Sequence, residues 1–231
     1  MSESPPAPTL PPAGLFLCLE GVDGSGKSTQ IRRLADHLRG LGWRVRVEKE
    51  PTDGPHGRRV RESARTGRLD PREELREILA DRRQHVEEVI RPALAAGEVV
   101  ILDRYFWSSM AYQGATLGDP ESILAANLAF APVPDLTLFL DVPVATSQAR
   151  INSRDGSPNH FERSEFLAAC RNIFLSIRHP RFVRLDGDRP AEAVEADILR
   201  QVKEILPGGV GPTGGHPAPA TGAHRPAPPG D

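Results

Sequence analysis

Several things are scarce in this chain, and each scarcity excludes something. Its two cysteines, Cys18 and Cys170, lie far apart and have no metal-ligand spacing, so neither a disulfide framework nor a cysteine metal site is expected. Both read as ordinary thiols in a reducing compartment. No apolar run approaches the roughly 18 residues needed to span a bilayer, and the proline-rich start lacks a signal peptide's apolar stretch. Together these absences predict a soluble, cytoplasmic protein without a membrane partner. Charge imbalance is missing too: 29 basic against 31 acidic side chains give a formal net charge of -2, which does not suit a nucleic-acid coat. Lysine occurs only as Lys27, Lys49 and Lys203. Arginine therefore carries nearly all the positive charge, and a lysine inside a motif stands out.

What is present sorts along the chain. Residues 1–13 hold five prolines, and residues 207–231 hold seven prolines and seven glycines. Both ends read as disordered tails, because they offer little apolar surface to offset the entropy of ordering. The folded unit is expected over 14–206. Within it LFLCLE (15–20), WRVRVE (43–48), EVVILD (98–103), LTLFLD (136–141) and RFVRLD (181–186) read as strands. Several are unbroken apolar runs, as in parallel strands buried on both faces. Helical spacing follows the first strand at Ile31, Leu34 and Leu38, and a long helix is expected from Pro71, bent near Pro92. Alternating strands and helices predict an α/β fold: five parallel strands flanked by helices, with ligands at the strands' carboxyl ends.

Between the first strand and helix lies Gly21-Val22-Asp23-Gly24-Ser25-Gly26-Lys27-Ser28, followed by Thr29. This is a GxxxxGK[ST] loop in its required setting. The glycines let backbone N–H groups turn toward phosphate oxygens, Lys27 supplies a point charge, and the Ser28 hydroxyl suits magnesium. The loop alone does not choose among a switch, a motor and a kinase. No guanine-reading segment and no large second domain is evident, which favours a kinase of a small acceptor.

The acceptor side has its own candidates. Asp103 and Arg104 end the third strand, placed for magnesium and for phosphate charge. Ser108, Ser109 and Tyr112 share one side of the next helix, followed by Gln113. Ile78 and Arg82, one turn apart, could pack against and hydrogen-bond a planar base. Glu50 and the Arg58/Arg59 pair leave the second strand, and an arginine fork there suits a monophosphate. A hydrophilic stretch between helices, about 150–162, reads as a short mobile lid in which Arg154 could reach the transferred group.

By this point LEGVDGSGKSTQ, EPTDG, ADRRQHVEEVIRPAL, DRYFWSSMAYQG and LFLDVPVATSQARI have accumulated in an order and spacing that resembles the thymidylate kinase family across almost all of 14–206. The resemblance implies a P-loop enzyme that moves the terminal phosphate of ATP to dTMP with Mg2+, as a homodimer. Matched by motif, Lys27, Ser28 and Thr29 would handle donor phosphates and metal, and Asp23 would organise the metal or the acceptor phosphate. Arg104 would lie near the phosphates, Arg82 would contact thymine, and Ser109, Tyr112 and Gln113 would line the acceptor site, with Tyr112 crowding a ribose 2′-hydroxyl. The DGSG segment has no basic residue, so the catalytic arginine would come from the lid as Arg154, with Arg150 beside the nucleotide. Three features depart from the family pattern, one of them the DGSPNHFE lid sequence. Ile78 stands where phenylalanine often stacks on the base, and EPTDG replaces EPGGT, which leaves Arg58, Arg59 and Arg61 as alternatives for the phosphate clamp. Other readings are a kinase of another nucleoside monophosphate, such as dUMP or UMP, and a nucleotide-dependent regulatory protein.

Overall fold

In the computed structural model, residues 14–67, 69–155 and 161–206 are described. Five parallel strands, β1 (Leu15–Glu20), β2 (Val45–Lys49), β3 (Val99–Asp103), β4 (Leu136–Asp141) and β5 (Phe182–Asp186), form one sheet in the order β2-β3-β1-β4-β5. Successive side chains of a strand face opposite ways, and the apolar runs divide accordingly. On one face Phe16, Cys18, Val100, Leu102 and Phe139 pack with Phe106, Met110, Leu167 and Phe174. On the other, Leu15, Leu17, Leu19, Ile101 and Leu138 meet Ile31, Leu34, Leu38, Val194 and Ile198. Each fully buried leucine contributes about 1.5–3 kcal/mol, so these two layers fix the strand register. The register matters because it sets Leu19 opposite Asp103, which brings the glycine loop and the Asp103-Arg104 pair to neighbouring strand ends.

The helices are α1 (Lys27–Gly40), α2 (Pro55–Thr66), α3 (Pro71–His85), α4 (Arg91–Ala95), α5 (Phe106–Leu117), α6 (Pro120–Leu128), α7 (Val144–Asp155), α8 (Phe161–Ser176) and α9 (Ala191–Ile205). Local chemistry starts α3 and α6 in the same way. Asp70 accepts from the Arg72 and Glu73 N–H groups, Asp119 accepts from that of Ser122, and a proline follows each. The start of α1 differs: Gly26 is left-handed, at φ 93°, and no side chain caps the helix. An uncapped N-terminus keeps its donors for an anion.

The long helix expected from Pro71 is divided. A π-helical turn, Val86–Ile90, separates α3 from α4. Pro92, in the first turn of α4, lacks an N–H and crowds the preceding turn, and wider turns upstream relieve that conflict. The expected lid is also largely helix among the described residues. Residues 150–155 complete α7 and 161–162 open α8, while 156–160 and the Arg154 side chain lie outside the described residues, as do both chain ends. Among the described residues, no helix is long and apolar enough to cross a membrane.

Candidate active site

The glycine loop is shaped by close approach. A Cβ on Gly24, at φ 79°, would lie 2.4 Å from the Ser147 carbonyl oxygen of α7, and the Ser147 hydroxyl donates to the Asp23 carbonyl. Ser147, buried on α7, thus pins the loop, a role its sequence did not announce. Lys27 folds over the loop and donates to the Gly21 and Val22 carbonyls at 3.0 and 3.1 Å. Burial, and then the nearby Arg104 charge, lower the Lys27 ammonium to about 8. The Ser28 hydroxyl donates to Asp103 Oδ2 at 2.9 Å, so the two expected metal-side residues meet.

Arg104 is the only non-glycine residue with positive φ among the described residues, at 72°. Such a conformation costs on the order of 1–3 kcal/mol and persists only where its surroundings impose it. Here they do. Its N–H donates to the Leu19 carbonyl at 3.1 Å. Its guanidinium donates to Asp23 Oδ1 at 2.5 Å, Ser108 Oγ at 3.0 Å and the Tyr112 hydroxyl at 3.1 Å. Burial alone would lower the Arg104 pKa, but the surrounding Asp23, Glu20 and Asp103 carboxylates oppose it, and the group stays charged. Burial pushes the Tyr112 phenol up to about 12, so it keeps its proton. The Tyr112 hydroxyl also accepts from the Asp23 N–H at 3.2 Å, tying α5 to the loop.

Glu20 is a functional residue that the sequence hid at the end of an apolar strand. It is fully buried and accepts from the Tyr105 and Ser108 N–H groups at 2.9 and 3.1 Å and from the Ser108 hydroxyl at 2.5 Å. Its carboxylate caps α5, and Ser108 passes that support to Arg104. Burial raises the Glu20 pKa against the lowering effect of these bonds.

Around Arg82 the protein's own side chains grip one side of the guanidinium. Arg82 is 2% exposed. Its Nε donates to Glu50 Oε2 at 2.7 Å, and its Nη1 donates to Ser109 Oγ at 2.9 Å and to Asn127 Oδ1. The other Glu50 oxygen meets His85 Nδ1 at 2.9 Å, and the Arg82 guanidinium carbon lies 5.1 Å from the centre of the Tyr105 ring. Glu50 and Ser109, expected beside the substrate, are thus Arg82's anchors. Gln113 donates to Glu74 Oε1 at 3.0 Å, and Ile78 is half-buried on the same helix.

The three arginines after EPTDG separate clearly. Arg59 pairs with Glu73 and Glu77, and Arg61 is held by Asp53 and the Pro51 and Thr52 carbonyls. Arg58 is exposed and has no ion pair among the described residues. The turn they follow is pinned by buried Asp81, which accepts from the Thr52 N–H at 2.8 Å and its hydroxyl at 2.6 Å. Arg150 lies beside the loop, donating to the Gly24 and Gly187 carbonyls at 3.4 Å each and standing 3.6 Å from Asp188.

This arrangement can hold a polyphosphate at the start of α1 and a flat polar group near Arg82. The family model described as thymidylate kinase matches residues 19–198. A thymidylate kinase of Xylella fastidiosa (strain M12) is 50% identical over 195 residues, 84% of this chain and 89% of that protein. One of Xanthomonas campestris pv. campestris (strain B100) is 49% identical over 197 residues, 85% of each. With the phosphate loop, the strand order and both comparisons in agreement, the chain belongs to the thymidylate kinase family.

Proposed function

We propose that the protein transfers the γ-phosphoryl group of ATP to dTMP, yielding dTDP for dTTP synthesis. The observation that carries this reading is the state of Arg82. A guanidinium has five N–H groups in a fixed fork; three are taken by Glu50, Ser109 and Asn127, and the two on Nη2 have no acceptor among the described residues. They suit the 4-carbonyl of thymine. A cytosine would oppose them with an amino donor, and a site built to donate rejects a ligand that cannot accept.

The dTMP phosphate is already an anion, so an oxygen of it attacks the γ-phosphorus in line and no hydroxyl needs deprotonation. The chain's task is to bring two repelling anions together and neutralise the charge that spreads in transfer. Lys27 and Arg104 serve that end from fixed positions, Arg58 clamps the acceptor phosphate because its rivals are engaged, and Arg154 is the further cation that the resemblance implies. Arg150 attends the nucleotide. Gly21, Val22, Gly24, Ser25, Gly26 and Thr29 complete the donor cradle. Gln113 keeps its carbonyl oxygen for the base side, and Tyr112 crowds a 2′-hydroxyl.

Magnesium fits the residues present. Ser28 and Asp103 are hard oxygen donors side by side, as suits an ion held largely through phosphates. When bound, it neutralises phosphate oxygens. Asp23 serves Arg104 in this reading, through their ion pair, rather than the ion. Leu75 and Leu79 on α3 stay half-exposed and outside both apolar clusters, which suits the homodimer implied by the resemblance. Two buried, unpaired cysteines suit the reducing cytoplasm.

Chromatography of nucleotides after incubation with Mg·ATP tests the reaction. One dTDP should form per ATP consumed, with little ATP lost when dTMP is omitted. ATP hydrolysis without dTDP would instead identify a nucleotide-dependent regulatory protein.

A further inference from the structure

We propose that Asn127 is a positioning residue for base selection, holding Arg82 so that Nη2 alone addresses the acceptor base. The inference rests on the reading that Arg82 meets the base, and it adds a residue from α6, 45 positions along the chain from Arg82.

Asn127 is 0% exposed, so its amide must find partners inside the protein. Nδ2 donates to the Ile123 carbonyl one helical turn back, at 2.8 Å. That bond orients the amide and turns Oδ1 to Arg82 Nη1. The reversed amide would set N–H against N–H and lose both bonds. The placement of α6 is itself constrained. Gly114 of α5 lies so close to Pro120 that an added Cβ would sit 2.9 Å from the proline Cα, and Gly118 turns the chain at φ 74° before the Asp119 cap. Asn127 is thereby delivered beneath Arg82 by backbone packing that no long side chain would permit.

Its type is as informative as its place. Both Nη1 protons are used, one by Ser109 and one by Asn127, and the Nε proton goes to Glu50. Fixing Nε and Nη1 of a planar guanidinium fixes the direction of Nη2 as well. Glu50 already balances the buried charge of Arg82, so a neutral acceptor completes the set without burying a second anion. Without Asn127, Glu50 and Ser109 would still grip Arg82 from one side, but one buried Nη1 proton would lose its acceptor; the guanidinium would tilt to satisfy it, and a misaimed Nη2 discriminates less between a carbonyl and an amino group.

The test compares kcat and KM for dTMP and dCMP, at saturating ATP, in Asn127→Leu, Asn127→Asp and Arg82→Gln enzymes. Asn127→Leu should raise the KM for dTMP about tenfold and lower the dTMP-to-dCMP ratio of kcat/KM about tenfold, with kcat within about twofold. Asn127→Asp keeps an acceptor oxygen but loses the bond to the Ile123 carbonyl and buries a second anion, so it should lower kcat/KM for both substrates while retaining their ratio within about threefold. A merely structural loss would lower active enzyme for both substrates and leave their ratio alone. If the leucine variant fails to fold, Asn127→Ala gives the same readout. An unchanged ratio in Asn127→Leu, with a collapsed ratio in Arg82→Gln, would overturn the role of Asn127 and keep that of Arg82. An unchanged ratio in Arg82→Gln would overturn both, and equal loss of that ratio in the aspartate and leucine variants would show that the acceptor oxygen is not what matters.

Discussion

Arg104→Gln is expected to lower kcat about 10²- to 10³-fold, with the KM for ATP and for dTMP each within about threefold. Glutamine can replace some hydrogen bonds to Ser108 and Tyr112 but not the charge. That charge is held by Asp23, by Ser108, itself bonded to Glu20, and by Tyr112, at a backbone conformation few arginines adopt. An enzyme that fixes a cation this firmly avoids reorganising it during transfer, which is where electrostatic catalysis gains most. The same assay tests Arg154: Arg154→Ala should lower kcat by a similar factor and dTMP binding much less, as befits charge supplied chiefly in transfer. Normal turnover in either variant would remove that arginine from the mechanism. Circular dichroism and melting curves would confirm that the folded state is retained.

The largest effect on stability is expected at Glu50. Glu50→Leu removes the only ion-pair partner of Arg82 among the described residues, where the Arg82 side chain is 3% exposed, and takes the contact with His85 Nδ1 as well. Breaking a buried pair from one side typically costs 3–5 kcal/mol, because the remaining charge is uncompensated. For a domain of this size the melting temperature should fall by roughly 10 °C. Adding Arg82→Met to Glu50→Leu should recover much of that loss, since an apolar pair of similar volume is tolerated there, while selection for dTMP stays lost. A melting temperature within about 2 °C of the parent for Glu50→Leu alone would contradict this account of the network.

How far the sequence revealed these features depended on the range of the interactions. The strand, glycine loop and start of α1 were legible because their signals are local: an apolar run, glycines at fixed spacing, and one of three lysines in the required place. The β4 run was read to the residue, while Trp43 and Arg44 proved to precede β2. The stretch 150–155 looked like a loop because it is polar, but a helix end facing solvent needs no apolar stripe. The network around Arg82 was hidden for another reason. Glu50, Arg82, Ser109 and Asn127 come from a strand end and three helices, and nothing near Asn127 in sequence marks it as an arginine's partner. The sequence places Ser109 and Glu50 as candidates beside the substrate, whereas their observed contacts are to Arg82. Glu20 was overlooked because a carboxylate closing an apolar run looks like the strand's exit to water, whereas its oxygens cap α5.

On the proposed function, Arg82, whose Nη2 donors have no acceptor among the described residues, makes the enzyme read the 4-position of its acceptor. The most direct measurement is the ratio of kcat/KM for dTMP over dCMP, with Mg·ATP saturating. The account predicts a ratio of at least about 10³, as for other sites whose buried donors would be left opposing a donor. A ratio within about tenfold of unity would contradict it.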